Sequence, residues 1–101
     1  MANPFRVEIV SVEAELWSGE GEQVFARTTE GELAVLAGHE PLLGQLKAPS
    51  RVRVKTPGGG EVAYDVAGGF LSVTTDTVTI LAEEAHPAQG EDPAHAIVET
   101  H

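Results

Sequence analysis

The sequence predicts an all-β fold, a sandwich or flattened barrel of seven to ten short strands. Short runs rich in β-branched residues recur through residues 5 to 82, glycine- and proline-bearing turn signals separate them, and no stretch before residue 83 holds helical periodicity over a full helix. With 101 residues and 42% hydrophobic content, the chain suits one core.

Taken in order, Phe5, Val7 and Ile9 alternate with Arg6 and Glu8, and Val10 and Val12 then make the second face apolar. That pattern predicts a strand that becomes buried on both sides. Glu13 to Trp17 is a second short strand, ended by a turn at Ser18-Gly19-Glu20-Gly21. Gln23 to Thr29 sets Val24, Ala26 and Thr28 opposite Phe25 and Arg27.

Glu30 to Leu46 then joins two apolar runs, Leu33 to Leu36 and Leu42, Leu43 and Leu46, through a polar tip at His39 and Glu40. Gly38 accepts positive φ, and the residue before Pro41 is biased away from the helical basin, so the runs meet at a shaped corner. Ala48-Pro49-Ser50 breaks the chain, and Arg51, Arg53 and Lys55 alternate with Val52 and Val54 on a half-buried strand. Pro57-Gly58-Gly59-Gly60 reads as a hairpin connection to Glu61 to Ala67, which sets Val62, Tyr64 and Val66 on one face. Phe70 to Thr74 and Thr77 to Ala82 are the last two predicted strands.

Beyond residue 84 the composition shifts. Residues 85–101 carry no Lys or Arg and read as an acidic linker and tail, in which Asp92-Pro93 marks the start of a short helix over Ala94 to Glu99. The expected division is therefore a sandwich domain over 1–84 and a short tail over 85–101.

Charge and composition exclude several classes. Sixteen acidic residues against six basic give a formal charge of -10, which repels phosphates and anionic headgroups, so nucleic acid is not an expected partner. No apolar run approaches the roughly 20 residues that cross a bilayer, so no direct membrane insertion is expected. No leader is visible in Met1 to Arg6, and zero cysteines exclude thiolate chemistry. The sequence departs from the phosphate-loop pattern because Gly58-Gly59-Gly60 runs into a strand rather than a helix. His86, His95 and His101 match no metal-ligand spacing. Ser72, His39 and Asp65 are present without any nucleophile motif, and adjacent Glu83 and Glu84 point to opposite sides of an extended chain. The residues thus point to no catalysis, no cofactor and no metal. Aromatics are scarce, and Trp17 reads as core or half-core packing rather than a sugar platform.

Several stretches together resemble a known family. Gly31 to Leu43, read as GELAVLAGHEPLL, resembles the GELGILPGHAPLL motif of the epsilon subunits of F-type ATP synthases. Val7-Glu8-Ile9-Val10-Ser11-Val12, Leu16-Trp17-Ser18-Gly19, and Gly68-Gly69-Phe70-Leu71-Ser72-Val73 leading to Val78-Thr79-Ile80-Leu81-Ala82-Glu83 agree in the same order, over roughly residues 5 to 84. The tryptophan-containing and GGFLSV pieces look most like the actinobacterial branch.

The resemblance implies a flattened sandwich of about ten strands and a structural role in the central stalk. A subunit of this kind joins the gamma subunit to the polar loops of the c-ring and couples proton translocation to ATP synthesis without catalysing anything itself. It would lie peripherally on the cytoplasmic face of the bacterial plasma membrane as part of the complex. Carried over by position, Glu32 is implied to face the c-ring, and His39, Leu42 and Leu43 to face gamma. Apolar anchors with a polar rim suit a lasting interface.

Ala34, Ala37, Glu40 and Gly44 depart from the glycine, proline, alanine and threonine usual at those places. Family members also continue into a two-helix C-terminal domain, where this sequence has only a short tail. No ATP binding and weak or absent inhibition are the expectations that follow. From the residues alone, a free-standing sandwich that binds a small or sugar ligand is the alternative.

Overall fold

The computed structural model describes residues 4–88. Ten strands form two five-stranded sheets, an all-β sandwich as expected: β1 (Phe5–Ser11), β2 (Glu15–Gly21), β3 (Gln23–Thr28), β4 (Gly31–Leu36), β5 (Leu42–Gln45), β6 (Ser50–Lys55), β7 (Glu61–Val66), β8 (Gly69–Val73), β9 (Thr77–Ala82) and β10 (Ala85–Pro87). The first sheet runs β2-β1-β9-β8-β5, and the second β10-β7-β6-β3-β4. All pairs are antiparallel except β1 with β9.

Alternation decides which side chains meet between the sheets. Val7, Ile9, Leu71, Val73, Val78 and Ile80 face inward from the first sheet, and Val24, Val35, Val52, Val54 and Val66 from the second. Side chains one position along each strand point to solvent, so every strand contributes to one outer face. The bridge between Thr28 and Leu46, with Lys47 N–H donating to the Arg27 carbonyl at 2.9 Å, closes one flank of the sandwich. Across the interior, the Tyr64 hydroxyl donates to the Leu16 carbonyl at 3.2 Å and ties β7 to β2. Tyr64→Phe is expected to cost about 1 kcal/mol of unfolding free energy in a urea titration, the net worth of one partly buried hydrogen bond.

Two local features differ from the sequence reading. Gly19 and Gly21 do not end a strand; both lie within β2, which extends to Gly21. The reason is close packing: a Cβ on Gly21 would sit 2.9 Å from both Val54 Cγ1 and Val7 Cγ2. Glycine here lets β2 approach the core, and the chain turns one residue later at Glu22. The second difference is β10, which adds an edge strand at Ala85–Pro87 paired to Val66, Asp65 and Tyr64 of β7. The expected helix over Ala94 to Glu99, with His95 and His101, lies outside the described residues.

Candidate functional site

The candidate surfaces follow from strand register. At one end of the sandwich, β3 and β4 join in a tight hairpin. The Thr28 hydroxyl donates to the Gly31 carbonyl at 2.9 Å and accepts from Glu30 N–H at 3.2 Å, which fixes the turn. Glu32 stands just beyond it on β4, 71% exposed, with its carboxylate 2.6 Å from Arg27 Nη2.

His39 stands elsewhere. β4 carries the chain about 13 Å from Glu32 to Leu36 at strand rise, and the crossover from Ala37 to Pro41 then passes from the second sheet to the first. Glu32 and His39 therefore sit toward opposite ends of the molecule. The corner expected between two apolar runs is this crossover, and Gly38 adopts φ of 81° within it. His39 N–H donates to the Leu36 carbonyl at 3.1 Å, and its Nδ1 lies 2.8 Å from the Glu40 carbonyl oxygen. A carbonyl only accepts, so the proton sits on Nδ1 and the half-buried ring is held by its own crossover.

The two leucines divide between faces. Leu42, opposite Val73, points inward and packs against the core. Leu43, opposite Ser72, points outward and is 72% exposed.

Leu43 shares its face with side chains that sequence reasoning had not grouped as a surface. Val10, Leu81, Phe70 and Gln45 align across β1, β9, β8 and β5, with Val10 opposite Leu81, Leu81 opposite Phe70, and Phe70 opposite Gln45. Phe70 is 48% exposed and Leu81 46%. The neighbouring outward row is Glu8, Thr79, Ser72 and Leu43. The outer face of the first sheet is thus an apolar row beside a polar one, with Leu43 at its edge. The signal was present in the alternation, because inward Leu71 and Ile80 force Phe70 and Leu81 outward.

The outer face of the second sheet differs in chemistry. Arg51 and Asp65 pair with Nε to Oδ1 at 2.7 Å and Nη2 to Oδ2 at 3.4 Å, their side chains 14% and 12% exposed. The Arg53 guanidinium lies 5.6 Å from the Phe25 ring centroid, within cation–π range.

No catalytic grouping emerges from the residues considered. Ser72 lies on the outer face of the first sheet, Asp65 on that of the second, and His39 in the crossover. His86 sits on β10 opposite Asp65. Among the described residues, no three His, Asp or Glu side chains gather as a metal site, and no helix is long and apolar enough to cross a membrane.

The model of the ATP synthase delta/epsilon chain beta-sandwich domain matches residues 4–88. The sequence is 58% identical over 82 residues to a relative named ATP synthase epsilon chain from Frankia casuarinae, covering 81% of this chain and 95% of that one. A relative of the same name from Rhodococcus jostii is 54% identical over 86 residues, covering 85% and 70%. Among solved structures, a chain in the Euglena gracilis mitochondrial ATP synthase, in an assembly of OSCP, F1 and c-ring, superposes with a TM-score of 0.76 at 35% identity. That match covers 92% of this chain and 61% of the Euglena chain. A chain in the central stalk and c-ring structure of the Tetrahymena thermophila enzyme has a TM-score of 0.66 at 19% identity, covering 81% and 65%, and shares the fold.

Proposed function

This chain belongs to the ATP synthase delta/epsilon family, and from that membership we propose that it is a non-catalytic rotor subunit of the central stalk. It joins gamma to the c-ring and couples proton translocation to ATP synthesis. The complex is membrane-associated, and the proposed place of this subunit is its cytoplasmic face on the bacterial plasma membrane.

The observation that carries the reading is the apolar row on the outer face of the first sheet. Burying exposed aliphatic and aromatic surface contributes about 25 cal/mol per Å² removed from water, and a face with an apolar centre beside polar residues suits a lasting contact with gamma. Leu43, which the motif assigns to gamma, lies on that face. Leu42 serves it indirectly by anchoring β5 to the core. His39 holds the crossover that leads into β5, so its part in the gamma contact is to set the strand that presents Leu43.

Glu32, on the exposed hairpin end, is the residue proposed to meet the polar c-ring loops. Its ion pair with Arg27 is solvent-exposed and therefore adds little stability. Glu32→Gln is accordingly expected to leave the thermal midpoint within about 2 °C of wild type while weakening retention of a gamma complex on isolated c-rings about threefold, as one charge-assisted contact allows.

Gel filtration with the cognate gamma subunit tests the assignment. A stable 1:1 complex is expected, and separate elution at micromolar concentrations would overturn it.

A further inference from the structure

The outer face of the second sheet carries charge in an uneven way. Across β4, β3, β6 and β7, register sets Arg27 opposite Glu32, Arg51 opposite Asp65, and Lys55 opposite Glu61. Arg53 has no carboxylate opposite it. Its cross-strand neighbours are Ala63 on β7 and Phe25 on β3, and Phe25 is followed by Ala34 on β4. The middle row of this face is therefore one guanidinium resting on one phenyl ring between two alanines.

Arg53 has no ion pair within 4 Å among the described residues, and neither has Lys55 despite its acidic neighbour in register. A groove of about 330 Å³ lies beside Arg53, walled by Phe25, Ala34, Arg27 and Glu32. On a chain of net charge -10, Arg53 and Lys55 thus stand on one face of one strand without a close carboxylate partner.

The spacing of these cations limits what they can hold. Arg53 and Lys55 are two residues apart on one strand and point the same way, which separates them by about 6.6 Å. Carboxylates four residues apart on a helix rise about 6 Å along its axis and share one face. The face of a sheet, unlike its edge, offers no free backbone groups to an added strand, and elements that pack on it are helices or another sheet.

We propose that the outer face of the second sheet docks an acidic helix of a partner protein, whose glutamates or aspartates four residues apart engage Arg53 and Lys55. The helix lies along β6, with small or apolar side chains over Ala34, Ala63 and Phe25. This surface is on the side of the sandwich opposite the apolar row, so both can be occupied together. Long-range repulsion from the rest of the acidic chain makes the contact dependent on this local pairing, and salt weakens it.

The test uses the full chain, labelled with ¹⁵N and observed by NMR. The probe is a synthetic alanine-based helical peptide carrying two glutamates four residues apart, and the control is the same peptide with glutamines. Titration at low salt is expected to shift the Arg53 Nε–H and Phe25 signals with a Kd on the order of tens of millimolar, the scale of two exposed charge pairs. Arg53→Gln and Lys55→Gln are each expected to weaken binding about threefold, and the glutamine peptide to leave the signals unmoved. Lys55 is exposed at the end of β6, so Lys55→Gln stands as a folded control should Arg53→Gln perturb the sheet. Equal shifts with both peptides overturn the proposal, as do shifts confined to Lys47 or produced only by inorganic phosphate. If Glu91→Gln/Asp92→Asn in the full chain moves the Arg53 signal before any peptide is added, the occupant is the chain's own acidic segment and the partner assignment fails.

Discussion

Gly69→Ala is expected to lower the unfolding free energy by about 3–5 kcal/mol, at the upper end of what a single substitution does. Gly69 opens β8 with φ of 124°, a conformation that residues with a Cβ rarely adopt. Space is the larger obstacle. An added Cβ would fall 2.1 Å from the Leu81 carbonyl oxygen and 2.7 Å from Ala82 Cα, both backbone atoms of the paired strand β9. Neither can rotate away, so β8 and β9 must separate where Gly69 pairs with Ala82. The same glycine carbonyl accepts the Leu46 amide at 2.9 Å, so displacement there also loosens the entry to β6. Gly58→Ala is the informative comparison, because Gly58 has φ of 90° but nothing within 4 Å of an added Cβ. It is expected to cost only about 1 kcal/mol. Urea titrations of both variants separate steric collision from backbone strain, and equal losses would contradict this account of Gly69.

The second large effect concerns association rather than stability. Leu43→Asp combined with Phe70→Glu places two carboxylates on the face assigned to gamma. Both side chains already stand in solvent at 72% and 48% exposure, so the fold is expected to change by no more than about 1 kcal/mol in the free chain. In a complex, those charges would be buried against apolar surface without partners, a cost of several kcal/mol. Affinity for gamma is expected to fall at least about 100-fold, equivalent to roughly 2.7 kcal/mol. A matched pair on the other sheet, Arg53→Gln with Lys55→Gln, is expected to leave gamma affinity unchanged.

Most strands were legible because their alternation is clean and their turns carry strong local chemistry. The β6–β7 hairpin is the clearest case: Val52 and Val54 alternate with arginines, Pro57 to Gly60 supplies the reversal, and Val62 and Tyr64 return in register. β2 was harder, because glycine signals a turn to a reader of sequence but here serves close packing against Val7 and Val54, partners 14 and 33 residues from Gly21 in the chain. The parallel pairing of β1 with β9 was also illegible, since nothing local in Phe5–Ser11 encodes a partner near the other end of the described chain.

The surfaces were legible only in part. The motif around Glu32 to Leu43 reads as one stretch in the sequence, and only strand β4 shows how far apart it sets Glu32 and His39. The motif singles out Leu43, whereas Phe70 and Leu81 come into its company through strand pairing between β5, β8 and β9. Arg53 shows the same limit. The sequence presents it as one of three alternating cations on a solvated strand, and only register reveals that its neighbours across the sheet lack carboxylates.

Calorimetric titration of the cognate gamma subunit into wild type and the Leu43→Asp/Phe70→Glu variant tests whether the apolar outer face of the first sheet seats gamma. Tight 1:1 binding with a negative heat-capacity change is expected for wild type, and at least a 100-fold loss for a variant that remains folded. Wild-type affinity in that folded variant would contradict that seating.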